Sequence, residues 1–323
     1  MKKRQHKRLG KVTIKNRTVS NNPTKKQGKL EAASKAFIVS SKRGSQGRSN
    51  NPRPGEHTIK FRTIPCTAPD QVTRNTKVVV FCHFYYDDLL NEIFDHIDKL
   101  PCKVNNLWVS LPCRDPKKPD KKTHIKHQAI LERYPDANVR IVRNKGKDIG
   151  GKLVCLRDYL RSSKSEVNDW LIFCHDKKSP HMPRKNADLW RRDLLHSIFA
   201  PKNVHKALCC INKDDSIKMW GGRVREGIIN SKAIAVHLGN VPKMYELCKS
   251  FGMRNLPFTG AFIGGTMFWV NDKFFRNAFR RIHIDGIIEK LENGDVQEPS
   301  ITHAVERFFG ITVTSAGYKI GSV

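Results

Sequence analysis

Residues 169–181 read DWLIFCHDKKSPH, and the fold turns on how this stretch is divided. Its first half, 170–174, is an unbroken apolar run of Trp170, Leu171, Ile172, Phe173 and Cys174. A strand buried on both faces of a parallel sheet reads this way, because neither face needs polar residues. The second half switches to His175, Asp176, Lys177, Lys178, Ser179, Pro180 and His181. Open α/β sheets bind their ligands beyond the carboxyl ends of the strands, so a cationic tip is where an anionic ligand is expected. A solvated loop after a core strand is the alternative reading of the same residues.

Working upstream, order is expected from about Lys77. Residues 78–82 (VVVFC) read as a buried strand, and Leu89, Leu90, Ile93, Ile97 and Leu100 follow at helical spacing before Pro101. Strands are predicted at 106–111 and 139–142, with a helix at 123–134 between them. A turn at 144–151 opens a helix carrying Leu153, Leu156 and Leu160. Downstream, 187–199 reads as an amphipathic helix, 204–211 as a helix leading into a strand, and 212–232 as loop. Helices are expected within 233–251, at 274–282 and at 300–309, with a glycine-punctuated apolar segment at 258–270 and a last strand at 311–314. Strand–helix alternation predicts the α/β class, with a mostly parallel, doubly wound (Rossmann-like) sheet flanked by helices.

The chain has 323 residues and a formal net charge of +30. Residues 1–75 hold 19 Lys+Arg against 3 Asp+Glu, whereas residues 76–323 hold 41 against 27. The first segment is too polar to bury a core and is read as a disordered basic extension, with one folded domain at 76–323. A cationic surplus attracts nucleic acid, anionic lipid, acidic glycans or nucleotide phosphates without choosing among them. The extension reads equally as a polyanion-binding arm or as a solubilising tail. Nine cysteines lack any CxxC pair, which points away from zinc and towards reduced thiols in a cytoplasmic setting. The longest apolar candidate, 261–270, falls short of the ~18 residues of a membrane span, and the N-terminus lacks the apolar core of a secretory signal.

Three further motifs carry chemistry. Asn144-Lys145-Gly146-Lys147-Asp148-Ile149-Gly150-Gly151 lies between a strand and a helix. Glycines let a backbone approach a phosphate, and a helix N-terminus offers N–H donors. Asp148 suits a sugar hydroxyl or caps the helix; a plain strand-to-helix turn is the competing reading. In 259–269, small residues including Gly265 and Thr266 flank Phe268 and Trp269, which form either a sugar platform or core. In 298–307, Ser300 is a helix N-cap and places His303, Glu306 and Arg307 on neighbouring parts of one face. A converging carboxylate and imidazole are the parts of a general base, or of a surface cluster.

Taken in order, NKGKDIGG, HDKKSPH with Trp190-Arg191 and Leu194-Leu195, GTMFWV and HAVERFFG resemble the rhamnan synthesis protein F family over roughly residues 77–310. That family is similar to glycosyltransferases of the GT-A type. The resemblance implies a GT-A-like fold and transfer of a hexose, with rhamnose among the candidates, from a dTDP- or UDP-hexose to a glycan acceptor with inversion. On that analogy Asn144, Gly146, Lys147, Asp148, Gly150, His175, Lys177 and Lys178 hold the nucleotide-sugar. Gly265, Thr266, Phe268 and Trp269 line the acceptor side, and Glu298, His303 and Glu306 supply the base. The tip falls where such enzymes carry two metal-binding carboxylates, but it offers one carboxylate and Lys177. Metal-independent transfer is therefore favoured; a divalent cation (Mn or Mg), if used, would fall to Asp176 with His181. The competing function is nucleic-acid binding by the basic tail on an inactive transferase-like core.

Overall fold

In chain order the elements are β1 (Thr58–Lys60), α1 (Asp70–Asn75), β2 (Lys77–His83), α2 (Leu90–Asp98), β3 (Lys103–Cys113), α3 (Lys121–Arg133), β4 (Asn138–Arg143) and α4 (Lys147–Arg161). They continue with β5 (Trp170–His175), α5 (Arg184–Phe199), α6 (Pro201–Lys213), β6 (Ile217–Gly221), β7 (Val224–Ile228), α7 (Lys232–Ala235) and α8 (Asn240–Ser250). The last are β8 (Thr259–Ile263), β9 (Phe268–Asn271), α9 (Asp272–Phe279), α10 (Ile284–Lys290), α11 (Ile301–Ser315) and β10 (Lys319–Ser322). The structure, a computed structural model, describes residues 56–61, 70–162, 167–180, 182–235, 238–280, 282–294 and 296–323.

Eight strands form one sheet in the order β1-β10-β6-β9-β5-β2-β3-β4, and β7 pairs with β8 apart from it. Within the eight-stranded sheet, pairings are parallel except those of β9, which runs antiparallel to both β5 and β6; β7 and β8 are antiparallel. The chain steps outward from β2 to β3 to β4, then returns to lay β5 on the other side of β2. The order thus reverses between β2 and β5, and this reversal opens the crevice in which α/β sheets bind ligands.

The two central strands are apolar because both faces are covered. Val79, Phe81, Leu171 and Phe173 face one core, together with Leu153 and Leu156 of α4 and Phe308 and Phe309 of α11. Val78, Val80, Cys82, Ile172 and Cys174 face the other, under Ile93 and Phe94 of α2 and Leu194 and Leu195 of α5. This period of two needs no polar alternation when helices cover each side.

Several boundaries differ from those predicted. The domain reaches back before residue 76: β1 pairs in parallel with β10, and Phe61 is fully buried against Trp220. The His57 N–H and the Thr58 hydroxyl both donate to the Glu226 carboxylate. The rest of the basic extension, 1–55 and 62–69, lies outside the described residues. The expected loop at 212–232 contains β6 and β7, and the strand expected at the end of 204–211 is helix α6. The strand expected at 311–314 is the last turn of α11, and the closing strand is β10. Tertiary packing overrides β-branched propensity there: a Cβ on Gly310 would sit 2.3 Å from the Ala261 carbonyl, so the helix lies directly on β8. Among the described cysteines seven carry free thiols. No described helix is long and apolar enough to cross a membrane.

Candidate active site

β2 and β5 end in register on His83 and His175. Both imidazoles are buried, and both face a cavity of about 380 Å³ at the β2/β5 crevice. The same cavity is lined by Tyr85 and Tyr86 after β2, Asn144, Lys147 and Asp148 at the start of α4, and Asp176 to Pro180 after β5. A larger cavity of about 610 Å³ lies at the opposite ends of the strands, beside Lys218, Phe274 and Tyr318. Lys218 is there paired with Asp215, and that end of an α/β sheet is not where ligands bind.

Behind the cavity wall sits a buried charge cluster. Lys152, 1% exposed, donates to Asp148 Oδ2 at 2.9 Å, to His175 Nδ1 at 2.9 Å and to the Thr266 carbonyl at 2.8 Å. The Thr266 hydroxyl donates to the same Asp148 oxygen at 2.5 Å. Burial opposes the charge on Asp148, but His175, Lys152 and the Thr266 hydroxyl outweigh it and hold the carboxyl well below the usual range. Burial likewise keeps His175 well below the usual histidine value, against the pull of Asp148, and sets His83 at about 4. Both rings are therefore neutral at physiological pH.

The turn before α4 is shaped by glycines. Gly146 has φ +69° and donates its N–H to the Glu292 carbonyl at 2.7 Å, so the turn is pinned to the segment after α10. A Cβ on Gly150 would lie 1.7 Å from the Lys145 carbonyl. Gly151 brings α4 against β2 and β3, where a Cβ would meet His83 Nδ1 at 2.3 Å and Ser110 Oγ at 2.4 Å. Ser110 Oγ is itself 2.9 Å from His83 Nδ1. Gly151→Ala is therefore expected to destabilise by about 1–3 kcal/mol through overpacking, although alanine in a helix interior gains up to about 1 kcal/mol over glycine. A urea midpoint equal to or above wild type would show that the close approach is not limiting. Lys147, Ser179 and Thr266, all around this cluster, have φ near +50°, a backbone strain that concentrates at functional sites.

At the β5 tip the residues divide their roles. Lys177 Nζ lies 4.5 Å from the Trp190 ring centroid. Burial lowers its pKa, while Asp148 and Glu306 favour its charge. Lys178 is turned away into an ion pair with Asp88 at 2.6 Å and lies over the Tyr86 ring. Asp176 is 3% exposed; its Oδ2 accepts the Tyr86 N–H at 2.5 Å, and its Oδ1 is buried without a partner. Burial pushes its carboxyl up to about 7. Among the described residues no three His, Cys, Asp or Glu side chains are grouped to hold a metal. His181 lies outside the described residues.

The expected base residues form a second cluster beside the first. Arg307, 1% exposed, bonds Glu298 Oε1 at 2.9 Å and Glu306 Oε2 at 3.3 Å. His303 Nε2 is 3.9 Å from Glu298 Oε1, and its Nδ1 is 2.7 Å from Ser300 Oγ. Burial lowers the His303 pKa, against the pull of Glu306 and Glu298. The turn before β9 joins the clusters: the Gly265 N–H donates to Glu306 at 2.7 Å, and the next residue, Thr266, binds Lys152 and Asp148. Glu298, His303 and Glu306 do not line the 380 Å³ cavity.

Phe268 and Trp269 do not form an acceptor platform. They are 1% and 0% exposed and point into opposite cores, and the Trp269 indole N–H donates to the Ile198 carbonyl. Two adjacent strand residues cannot share a face, so at most one could have met a sugar.

His83, Ser110, Tyr85, Ser179 and Lys152 were missed from sequence. His83 had a legible signal, since it ends an apolar run as His175 does. Lys152 had only its i+4 spacing from Asp148, which ordinarily marks a surface pair.

Fold and site together define an α/β protein with a lysine-lined crevice at its strand-order reversal. The chain belongs to the rhamnan synthesis protein F family, whose model matches residues 53–318. It is 24% identical over 267 residues to the uncharacterized protein WxcX of Xanthomonas campestris pv. campestris strain B100, covering 79% of this chain and 34% of that protein. WxcX from a second strain of that pathovar is also 24% identical, over 259 residues. The chain thus spans about a third of the length of these curated relatives.

Proposed function

We propose that the chain is a cytoplasmic glycosyltransferase that moves a hexose from a dTDP- or UDP-hexose to a glycan or polysaccharide acceptor, with inversion. Family membership supports a part in polysaccharide synthesis. The observation that carries the reading is the β2/β5 crevice, where Lys177, Lys147 and the N-terminus of α4 surround one cavity. A diphosphate suits that set, because fixed cations and free helix N–H groups both stabilise phosphate oxygens.

In the reaction the acceptor oxygen attacks the anomeric carbon as the carbon–oxygen bond to the diphosphate breaks, and the electron pair leaves on the diphosphate. Lys177 stabilises that developing charge, the part often given to a divalent cation. Metal-independent transfer is part of the proposal, and no step is routed through a metal cation. Lys178 contributes less than Lys177, because Asp88 offsets its charge. The acceptor proton passes to His303, neutral and backed by Glu298 3.9 Å away, with Glu306 on the same helix. Gly265 and Thr266 lie between the donor and acceptor halves. A single displacement inverts the anomeric centre.

A panel of nucleoside diphosphates tested by thermal shift, with and without Mn²⁺, checks the reading. UDP or dTDP is expected to stabilise the protein without metal. Lys177→Ala should weaken that binding by about 1.5–3 kcal/mol, the worth of a hydrogen bond to a charged group, or roughly 10- to 150-fold. No response to any nucleotide in either condition would overturn the donor assignment, and a strict metal requirement would overturn the role of Lys177. A nucleic-acid function would rest on the basic extension, and no described contact at the crevice favours it.

A further inference from the structure

We propose that Lys152 is a positioning residue that locks His175 in the Nε2–H tautomer, making its ring a fixed, uncharged hydrogen-bond donor to a phosphate oxygen in the crevice. The tautomer follows from counting donors. A lysine ammonium has three N–H donors and no acceptor. Every group it contacts must therefore accept: Asp148 Oδ2, the Thr266 carbonyl and His175 Nδ1 within 2.9 Å, and the Thr266 hydroxyl oxygen at 3.1 Å. Nδ1 must therefore present its lone pair, and the ring proton sits on Nε2. The other tautomer would turn an N–H against an ammonium inside a pocket that is 1% exposed at Lys152, and the acceptor nearest to it, Asp148 Oδ2 at 3.4 Å, already accepts from Lys152 and the Thr266 hydroxyl.

The lock is held from several directions. Asp148 and Lys152 lie one helical turn apart on α4 and neutralise each other, so the ring carries no net charge from that side. His83 faces it from β2 and Lys177 from its own tip. Among the described residues nothing bonds to Nε2, while the ring lines the cavity. A neutral donor beside Lys177 offers a phosphate oxygen one directed hydrogen bond in addition to a charge. Imidazole alone would exchange between tautomers and orient such an oxygen poorly.

The tautomer lock stands independently of the nucleotide assignment; its ligand rests on the proposed function. Long-range ¹H–¹⁵N spectra of the uniformly ¹⁵N-labelled chain at pH 7, without nucleotide, read the tautomer directly. The expected spectrum for His175 is one protonated-type Nε2 and one unprotonated-type Nδ1. A protonated Nδ1, or an averaged pair, would overturn the lock. On adding UDP or dTDP the Nε2–H resonance should shift. A correct tautomer with no shift for either nucleotide would keep the lock and overturn the crevice as the diphosphate site, whereas nucleotide binding with an averaged tautomer would do the reverse.

Lys152→Met should release His175 into a tautomer mixture and weaken UDP binding about tenfold, the loss of one directed hydrogen bond. That variant leaves the half-buried Asp148 without its lysine partner. The double variant Lys152→Met with Asp148→Asn removes both charges and keeps the volumes, so a tautomer mixture in that folded protein supports the lock. A single Nε2–H tautomer persisting in it would show that Lys152 does not set the proton.

Discussion

Replacing Arg307 by methionine is expected to lower the unfolding free energy by about 3–5 kcal/mol, the cost of removing one partner from a buried ion pair. The guanidinium is 1% exposed and spends its donors on four groups. Nε bonds the Ile234 carbonyl at 2.8 Å, and Nη1 bonds the His303 carbonyl at 2.5 Å and approaches Glu306 at 3.3 Å. Nη2 bonds Glu298 at 2.9 Å, and the fork lies over the Phe262 ring. Methionine fills much of the volume but strands the Glu298 and Glu306 carboxylates, each 16% exposed, beside one another. Lysine would not rescue the site, because a point charge cannot serve both acids and two carbonyls. Neutralising both acids at once, with Glu298→Gln and Glu306→Gln added to Arg307→Met, should return much of the loss. Urea unfolding measures each variant. A loss below about 1 kcal/mol for Arg307→Met would mean that Arg307 is only a surface-type pair.

Opposed pH dependences at Asp176 and His83 are the second large expectation. Burial raises the Asp176 carboxyl from 3.8 to about 7 in the folded chain. Between those values the folded state keeps a proton that the unfolded chain has lost, so this group's contribution falls as pH rises from about 4 to about 7. Burial lowers the His83 imidazole from 6.5 to about 4. Between those values the unfolded chain takes up a proton that the folded state refuses, so this contribution falls as pH drops from about 6.5 to about 4. The Asp176 shift is worth at most roughly 4–5 kcal/mol and the His83 shift roughly 3–4, and over pH 4–6.5 they oppose. Asp176→Asn should expose the histidine slope, with stability lost on acidification. His83→Gln should remove only part of the acid-side loss, because burial holds His175 low in the same way, and so tilt the profile towards the Asp176 slope. Urea unfolding at several pH values between 4.5 and 7.5 tests this, and profiles parallel to wild type for both variants would refute it.

The central half of the fold is legible because β2 and β5 are apolar runs with both faces covered by helices, and β3 and β4 lie between clear turns. Legibility fades where glycine interrupts the pattern. The stretch IKMWGGRVREGI contains two strands, yet its paired glycines and alternating charges resemble loop. ITVT after Gly310 is strand-like by propensity and helical because α11 must lie on β8. At the site, Asn144, Asp148, His175 and Lys177 were visible as polar residues at strand ends. Lys152 and Arg307 were not, because charge argues for the surface and only three-dimensional partners explain its burial. Phe268 and Trp269 were visible as aromatics, but adjacent strand residues of that size more often fill two cores than one binding face.

The reversed strand gives those two aromatics a different importance. In a sheet of otherwise parallel strands, only an antiparallel member begins at the edge where the others finish. Because β9 runs backwards, the turn that precedes it emerges beside the histidines, and the Thr266 carbonyl can reach Lys152. Sliding β9 by two residues would carry that carbonyl about 7 Å along the strand and undo the contact. Sliding it by one would turn each aromatic towards the other core. Phe268 and Trp269 thus act as a ruler: by fitting only one alignment on β5, they set the distance between the two halves of a site that neither ring touches.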